Sequence, residues 1–163
     1  MSTDWKEQFN AILPKLGHRN WILIADQAYP LQCKNGIETI ATGEDHLEVA
    51  RYVLGAVNDA KHVQSNTYLD SEIKYVSESD APGIEAVRNE LIRLGHQSAD
   101  FSYKGHETLI HDLDNAGKAF NILVLKTTLT IPYTSVFLEL GCGYWNDEKE
   151  AKLRRAIAEA NNL

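Results

Sequence analysis

The stretch LGHRNWILIADQAYP, Leu16 to Pro30, decides how the rest of the chain is read. Gly17 and His18 stand where a helix ends, an apolar run follows from Trp21 to Ala25, and the run emerges at a carboxylate, Asp26. A short apolar run bounded by polar residues predicts a buried strand. A buried strand that ends at a carboxylate is one way to hold that carboxylate in a site. It is equally a way to start a turn.

Upstream, STDWKEQFNAILPKLG predicts a first helix. Ser2, Thr3 or Asp4 can cap it, because a side-chain oxygen accepts from the free N–H groups of the first turn. Trp5, Phe9, Ile12 or Leu13, and Leu16 fall on one face. Pro14 removes a helical hydrogen bond and is expected to kink the helix. Gly17 is expected to end it in a positive-φ position. Downstream, IETIA (Ile37 to Ala41) reads as a second strand, GEDHLEVARYVLGAVNDA as a helix with acidic residues leading, and HVQSNTYL as a third strand. DAPGIEAVRNELIRLGH predicts a helix with proline at its start and Gly95 at its end. DFSYKG reads as a short extended segment and HETLIHDLDNA as a short helix. FNILVLKTT and SVFLELGCG are strands too apolar for a sheet with a wet face. NDEKEAKLRRAIAEAN is a mostly polar terminal helix, with Leu153, Ile157 and Ala160 expected to face inward. Alternating helices and apolar strands predict an α/β fold: one three-layer domain over residues 1–163, its mostly parallel sheet covered by helices on both faces.

The 163 residues suit one domain, and a formal net charge of -7 argues against nucleic acid or an anionic membrane as partner. No apolar run approaches the ~18 residues a membrane span needs. MSTDWKEQFN lacks the basic patch and apolar core of a secretory signal. Cys33 and Cys142 stand outside any CxxC, as reduced thiols of a cytoplasmic protein would. Phosphate loops (GxGxxG, GxxxxGK[ST]), HExxH and GxSxG are missing. ELGCGYW reads as a turn. His46, His62, His96 and His111 are scattered, with surface or capping roles expected. His106 and His111 have the wrong spacing to face one way on a helix. No cofactor and no metal are therefore expected: the chemistry is cofactor-free, or the protein is a binder.

What remains is a set of polar residues at strand ends. His18 precedes the first strand and Asp26 follows it, His106 opens a helix after FSY, and IPYTS (Ile131 to Ser135) lies between the last two strands. Each has a plain structural explanation: a helix-end cation for His18, an Asx turn for Asp26, a first-turn position for His106, a turn aromatic for Tyr133.

Taken together, these residues resemble the D-ribose pyranase/L-fucose mutarotase family. There a Leu/Met-Gly-His ends the first helix, an apolar strand follows, and an Asp-Ala-x-x-Pro-like segment comes next. Here Gly17, His18, Asp26, Gln27, Ala28, Tyr29 and Pro30 stand in that order, with one residue inserted before the alanine. YKGHE is similar to the family's histidine after a Tyr-containing strand, and PYTSVFLELGCG to its tyrosine turn before the last strand. The resemblance runs from about residue 10 to 145, making 1–145 the core and 146–163 an extra C-terminal helix. Two departures are visible. Ser135 replaces the usual Asn two after the tyrosine, and KTTLTI stands where the family has Gly-Glu.

The resemblance implies a cofactor-free isomerase that interconverts anomers, or pyranose and furanose forms, of a free monosaccharide such as ribose or fucose. His18 would be the general acid/base, since an imidazole holds or releases a proton easily near neutral pH. Asp26, His106, Tyr133 and Ser135 would hold the sugar, helped by the backbone at Thr134. The alternative is a non-catalytic sugar-binding or regulatory protein that keeps the pocket. A strand of about five residues at about 3.3 Å each separates His18 from Asp26 by roughly 16 Å. One sugar cannot touch both ends of it. Either the chain folds back, or sites are shared between subunits, as the family's ring-shaped homo-oligomers imply.

Overall fold

A computed structural model describes residues 4–98 and 100–162. Helix α1 is Trp5–Ile12, continued by a 3-10 turn Leu13–Lys15. Asp4 caps it, its carboxylate accepting from Lys6 N at 3.2 Å; the alternative caps, Ser2 and Thr3, lie outside the described residues. Pro14 falls in the 3-10 turn, where its missing N–H breaks no α-helical bond. Gly17 does not take the left-handed conformation expected of it. Arg19 does, at φ 78°, and the turn is held instead by Asn20, whose Oδ1 accepts from Gly17 N at 2.7 Å.

The strands are β1 (Trp21–Ala25), β2 (Ile37–Ala41), β3 (Val63–Asp70), β4 (Ser102–Lys104), β5 (Ile122–Lys126) and β6 (Val136–Cys142). They form one six-stranded sheet in the order β2-β5-β1-β6-β3-β4. The ladders β2–β5, β5–β1 and β3–β4 are parallel, while β6 is antiparallel to both β1 and β3. Five strands therefore run one way and β6 runs back between them.

Side chains alternate across this sheet. Ile22, Ile24, Leu123, Leu125, Leu138 and Leu140 face one core with Phe9 of α1, Val49 and Val53 of α2 (His46–Asp59), and Ile84 and Leu91 of α3 (Ile84–Ser98). Trp21, Leu23, Val124 and Phe137 face a second core with Leu109 and Leu113 of α4 (His106–Ala116). Helices thus cover both faces, which is the three-layer α/β arrangement the apolar strands predict. Each fully buried Leu, Ile or Phe contributes about 2–3 kcal/mol by leaving water.

Two helices differ from expectation. Gly95 does not end α3 but lies inside it, where a Cβ would come within 3.1 Å of the Phe101 ring. The glycine is there for close packing, not for termination. The start of α3 is set by Gly83 (φ 99°) and by the Glu78 carboxylate, which accepts from Gly83 N at 2.6 Å and Glu85 N at 3.0 Å. The terminal helix α5 (Asp147–Asn161) buries no residue: Leu153 and Ile157 are 41% and 42% exposed, and Ala160 is exposed too. Its polar composition gives it no apolar stripe wide enough to hold it on the core.

A Cβ on Gly143 would lie 2.5 Å from Lys61 O and 2.8 Å from Val63 N, both backbone atoms that cannot yield, whereas one on Gly17 would meet nothing within 4 Å. Urea unfolding of Gly143→Ala is expected to show a loss of about 2 kcal/mol or more, and Gly17→Ala a change within about 0.5 kcal/mol.

Candidate active site

Because β1, β3, β4 and β5 run in one direction, their carboxyl ends share one edge of the sheet, and β6 begins at that edge. In α/β sheets this is where ligands bind. The edge collects Asp26 just after β1, Asp70 at the end of β3, His106 just after β4, Thr127 just after β5, and Tyr133, Thr134 and Ser135 just before β6. Of the residues expected from sequence, Asp26, His106, Tyr133, Thr134 and Ser135 are thus at one edge.

His106 is fixed by three neighbours. Its Nδ1 lies 2.9 Å from Oδ1 of Asp70. Its backbone N–H donates to both oxygens of Glu72, at 3.1 and 2.9 Å. Glu72 thereby caps α4, whose own N-cap, Gly105, has no side chain to do so. The Tyr133 ring stands edge-on to the imidazole, with centroids 5.5 Å apart. Tyr133 itself is held at φ 58°, a left-handed conformation that costs a non-glycine residue about 1–2 kcal/mol.

Asp70 is fully buried, and its second oxygen, Oδ2, has no hydrogen-bond partner among the described residues. Burial pushes its carboxyl up from 3.8 to about 6, against the opposing pull of His106, while Glu72 and Asp26 push it further. The third strand ends one residue beyond its expected limit, and Asp70 is that residue. Asp26 is partly exposed, and its Oδ2 accepts from Ala28 N at 3.4 Å, so the turn geometry expected as its alternative is present.

His46 is not the surface or capping residue expected. It is fully buried beneath the edge. Its Nε2 donates to Thr134 O at 2.7 Å, and its Nδ1 lies 3.0 Å from Thr127 Oγ1. The carbonyl can only accept, so Nε2 carries the proton. Burial lowers the pKa of His46 below its ordinary 6.5, opposed by the bond to Thr134. This neutral imidazole ties the segment before β6 to the end of β5 and so places Tyr133 and Ser135.

His18 is elsewhere. It precedes β1, at the opposite edge, exposed in a turn. There it lines a cavity of about 440 Å³ with Arg19, Trp21, Asp112, Phe120 and Glu139. The chain does not fold back to join His18 to Asp26: the length of β1 lies between them.

Asp70, Glu72 and His106 each offer one ligand atom, all within 4.8 Å of one another, a spacing that a divalent cation can bridge. The donors are already engaged, however: Glu72 by the His106 backbone, and Asp70 and His106 by each other. Asp70, Glu72 and His46 have one sequence signal in common with Asp26, a polar residue at the mouth of an apolar element. Only at Asp26 did a second motif accompany it.

The profile of the RbsD / FucU transport protein family matches residues 5–143. The chain belongs to this family. The resemblance drawn from Gly17–His18, YKGHE and PYTS holds over nearly the whole sheet. No curated protein matches the sequence significantly. Among solved structures of the RbsD/FucU fold, RbsD of Bacillus subtilis complexed with D-ribose superposes with a TM-score of 0.60 at 19% identity, covering 82% of this chain and 91% of that one. The fucose mutarotase of Streptococcus pneumoniae in complex with L-fucose gives 0.55 at 23% identity, covering 82% and 91%. FucU of Bifidobacterium longum gives 0.53 at 14%, covering 83% and 94%. At these identities the likeness shows the fold.

A carboxyl raised from 3.8 to about 6 binds its proton more tightly in the folded chain, so Asp70 makes stability fall as pH rises through that window. Asp70→Asn is therefore expected to stabilise the protein at pH 8 by on the order of 1–3 kcal/mol, and by much less at pH 4. Urea unfolding at the two pH values measures this. His46 has the opposite sign: the unfolded chain protonates near 6.5 before the folded one, so wild-type stability loses its contribution as pH falls below 6.5.

Proposed function

We propose that this chain is a monosaccharide mutarotase, an isomerase that interconverts anomers or pyranose and furanose forms of a free sugar such as ribose or fucose without a cofactor. The observation that carries this is the gathering of Asp26, His106, Tyr133, Thr134 and Ser135 at one sheet edge from segments far apart in sequence. Family membership supports it, as do the ribose and fucose held by the similar folds. The groups suit a polyhydroxylated, uncharged ligand: carboxylates accept from sugar hydroxyls, while phenol and alcohol both donate and accept.

Ring opening removes a proton from the anomeric hydroxyl and delivers one to the ring oxygen. His18 is the proposed general acid/base. It lies a strand's length from the other residues of its own chain, so the proposed site is composite: His18 of one protomer meets the carboxyl edge of another in a ring-shaped homo-oligomer. Two free cysteines suit a cytoplasmic location, and no described helix is long and apolar enough to cross a membrane.

A second reading, a sugar-binding or regulatory protein without turnover, is favoured by one observation: Ser135, 5% exposed, replaces the family's longer Asn. Saturation-transfer NMR of ribose and fucose separates the two. Exchange between anomeric signals faster than the buffer rate supports a mutarotase, and binding without exchange supports the second reading.

His18→Ala or His18→Gln is expected to lower exchange by roughly 10²-fold or more, the usual worth of a general acid/base, with the circular dichroism unchanged. Asp26→Asn is expected to weaken sugar binding without loss of thermal stability. In mixed oligomers of His18→Ala and Asp26→Asn chains, partial recovery of exchange is expected, since some sites then pair two intact residues. A fully active monomer by light scattering would defeat the composite site.

A further inference from the structure

The residues given a role so far leave one costly feature without one. Asp70 is a fully buried carboxylate with one oxygen on His106 Nδ1 and the other on nothing among the described residues. For stability alone, an asparagine or an apolar residue would serve better, since an incompletely paired buried charge costs more than it returns. The groups around Asp70 do not neutralise it. Glu72 and Asp26 add negative charge, and among the described residues its favourable neighbour is the imidazole. A carboxylate kept at such a cost and aimed at a histidine ring has a recognised use: it dictates which ring nitrogen holds the proton.

An ionised carboxylate only accepts. With Asp70 ionised, the proton of a neutral His106 sits on Nδ1, and Nε2 is left with its lone pair. No described residue hydrogen-bonds Nε2, and the side chain is 32% exposed at the edge beside Tyr133. The ring cannot swivel to exchange its nitrogens without breaking the Asp70 bond and leaving the contact with Tyr133.

We propose that Asp70 is a positioning residue that holds His106 as its Nδ1-protonated tautomer, so that Nε2 acts as a second proton-transfer group on the sugar. The kinetic part rests on the mutarotase reading; the tautomer does not. In the reaction Nε2 takes the proton of the anomeric hydroxyl. That O–H pair forms the carbonyl of the open-chain aldehyde, the bond from the anomeric carbon to the ring oxygen breaks, and its electron pair stays on the ring oxygen. That oxygen receives a proton from the group on the other side, assigned above to His18 of a second protomer. After the aldehyde turns, the reverse transfers close the ring on its other face. Each histidine ends as it began, and no oxidant or co-reactant is consumed. His106 then joins His18 as an acid/base group, which the sequence reading had given to His18 alone.

The test is nitrogen-15 NMR of the His106 ring at pH 8 in the wild type, Asp70→Asn and Asp70→Ala, with anomer exchange and sugar affinity measured on the same samples. In the wild type, Nδ1 is expected to be protonated and Nε2 bare. In Asp70→Ala the ring should relax toward the Nε2-protonated form that an unconstrained histidine side chain prefers. Both variants should lose roughly 10²–10³-fold in kcat with KM for the sugar changed less than about threefold, and Asp70→Asn should do so while melting higher than the wild type at pH 8. A residue that merely held the fold together would give a lower melting temperature and an unchanged kcat at permissive temperature, and that result overturns the proposal. So does an Nε2-protonated ring in the wild type. So does one equivalent of Zn²⁺ binding at micromolar concentration to the wild type but not to Asp70→Asn, since the cluster would then be a metal site. A wild type that shows the Nδ1 tautomer but exchanges no sugar upholds the Asp70–His106 pairing and defeats the mutarotase reading instead.

Discussion

A strand with no exposed face can offer chemistry only at its ends. Every residue of β1 is buried, Trp21 at 3% and the rest at zero, because β5 and β6 flank it and helices cover it above and below. This constraint arranges the rest of the molecule. It sends His18 and Asp26 to opposite edges and leaves each on the surface of a different end. It also explains why the apparatus is spread thinly along the sequence. Each of three strands delivers one polar residue as it reaches this edge: Asp26 from β1, Asp70 from β3, Thr127 from β5. The antiparallel β6 contributes at its beginning instead, through Tyr133 to Ser135.

The carboxyl edge is also where the fold is least comfortable. Tyr133 is in a left-handed conformation, Asp70 is a buried carboxylate with one oxygen unpartnered among the described residues, and His46 is a buried imidazole beneath the loop. The last two respond to pH in opposite directions. Burial raises Asp70 and lowers His46, so acid relieves one while it strains the other. The central strands β1, β5 and β6, packed on both faces, over-determine these positions and can carry their cost. Strain gathered at one edge of an otherwise regular sheet is the pattern of a site held ready.

The architecture was legible because it rests on runs: apolar strands with no wet face, and helices with periodic Val, Leu and Ile. What failed were features that depend on a particular contact or hydrogen bond and not on a run. Gly95 looks like a helix end until Phe101 is packed against it. Gly17 looks like the left-handed residue of its turn, yet Asn20 supplies the bond that lets Arg19 take that role. Leu153 and Ile157 have helical spacing, but α5 has too few apolar residues to bury them. The site was half legible. Asp26, His106 and Tyr133 sit in recognisable local motifs. Asp70 and His46 sit in none: one is the last residue of a strand read one position short, and the other opens a helix where capping is the usual use. Their meaning lies in partners 36 and 88 residues away.

The two edges complement each other chemically. The carboxyl edge is rich in acceptors, with the carboxylates of Asp26, Asp70 and Glu72 beside His106. In the proposed reaction these acceptors would bind sugar hydroxyls and take the first proton of ring opening, while the ring oxygen's proton is assigned to His18. The opposite edge presents His18 beside Arg19, in a cavity that also contains Asp112 and Glu139. The imidazole there is exposed and lies a strand's length from the candidate residues at the other edge of its own chain. On the proposed function, β1 keeps His18 and the carboxyl edge apart in any single protomer, so a site that used both would draw on two copies. The rigidity of one buried strand is thus what the proposed composite site rests on.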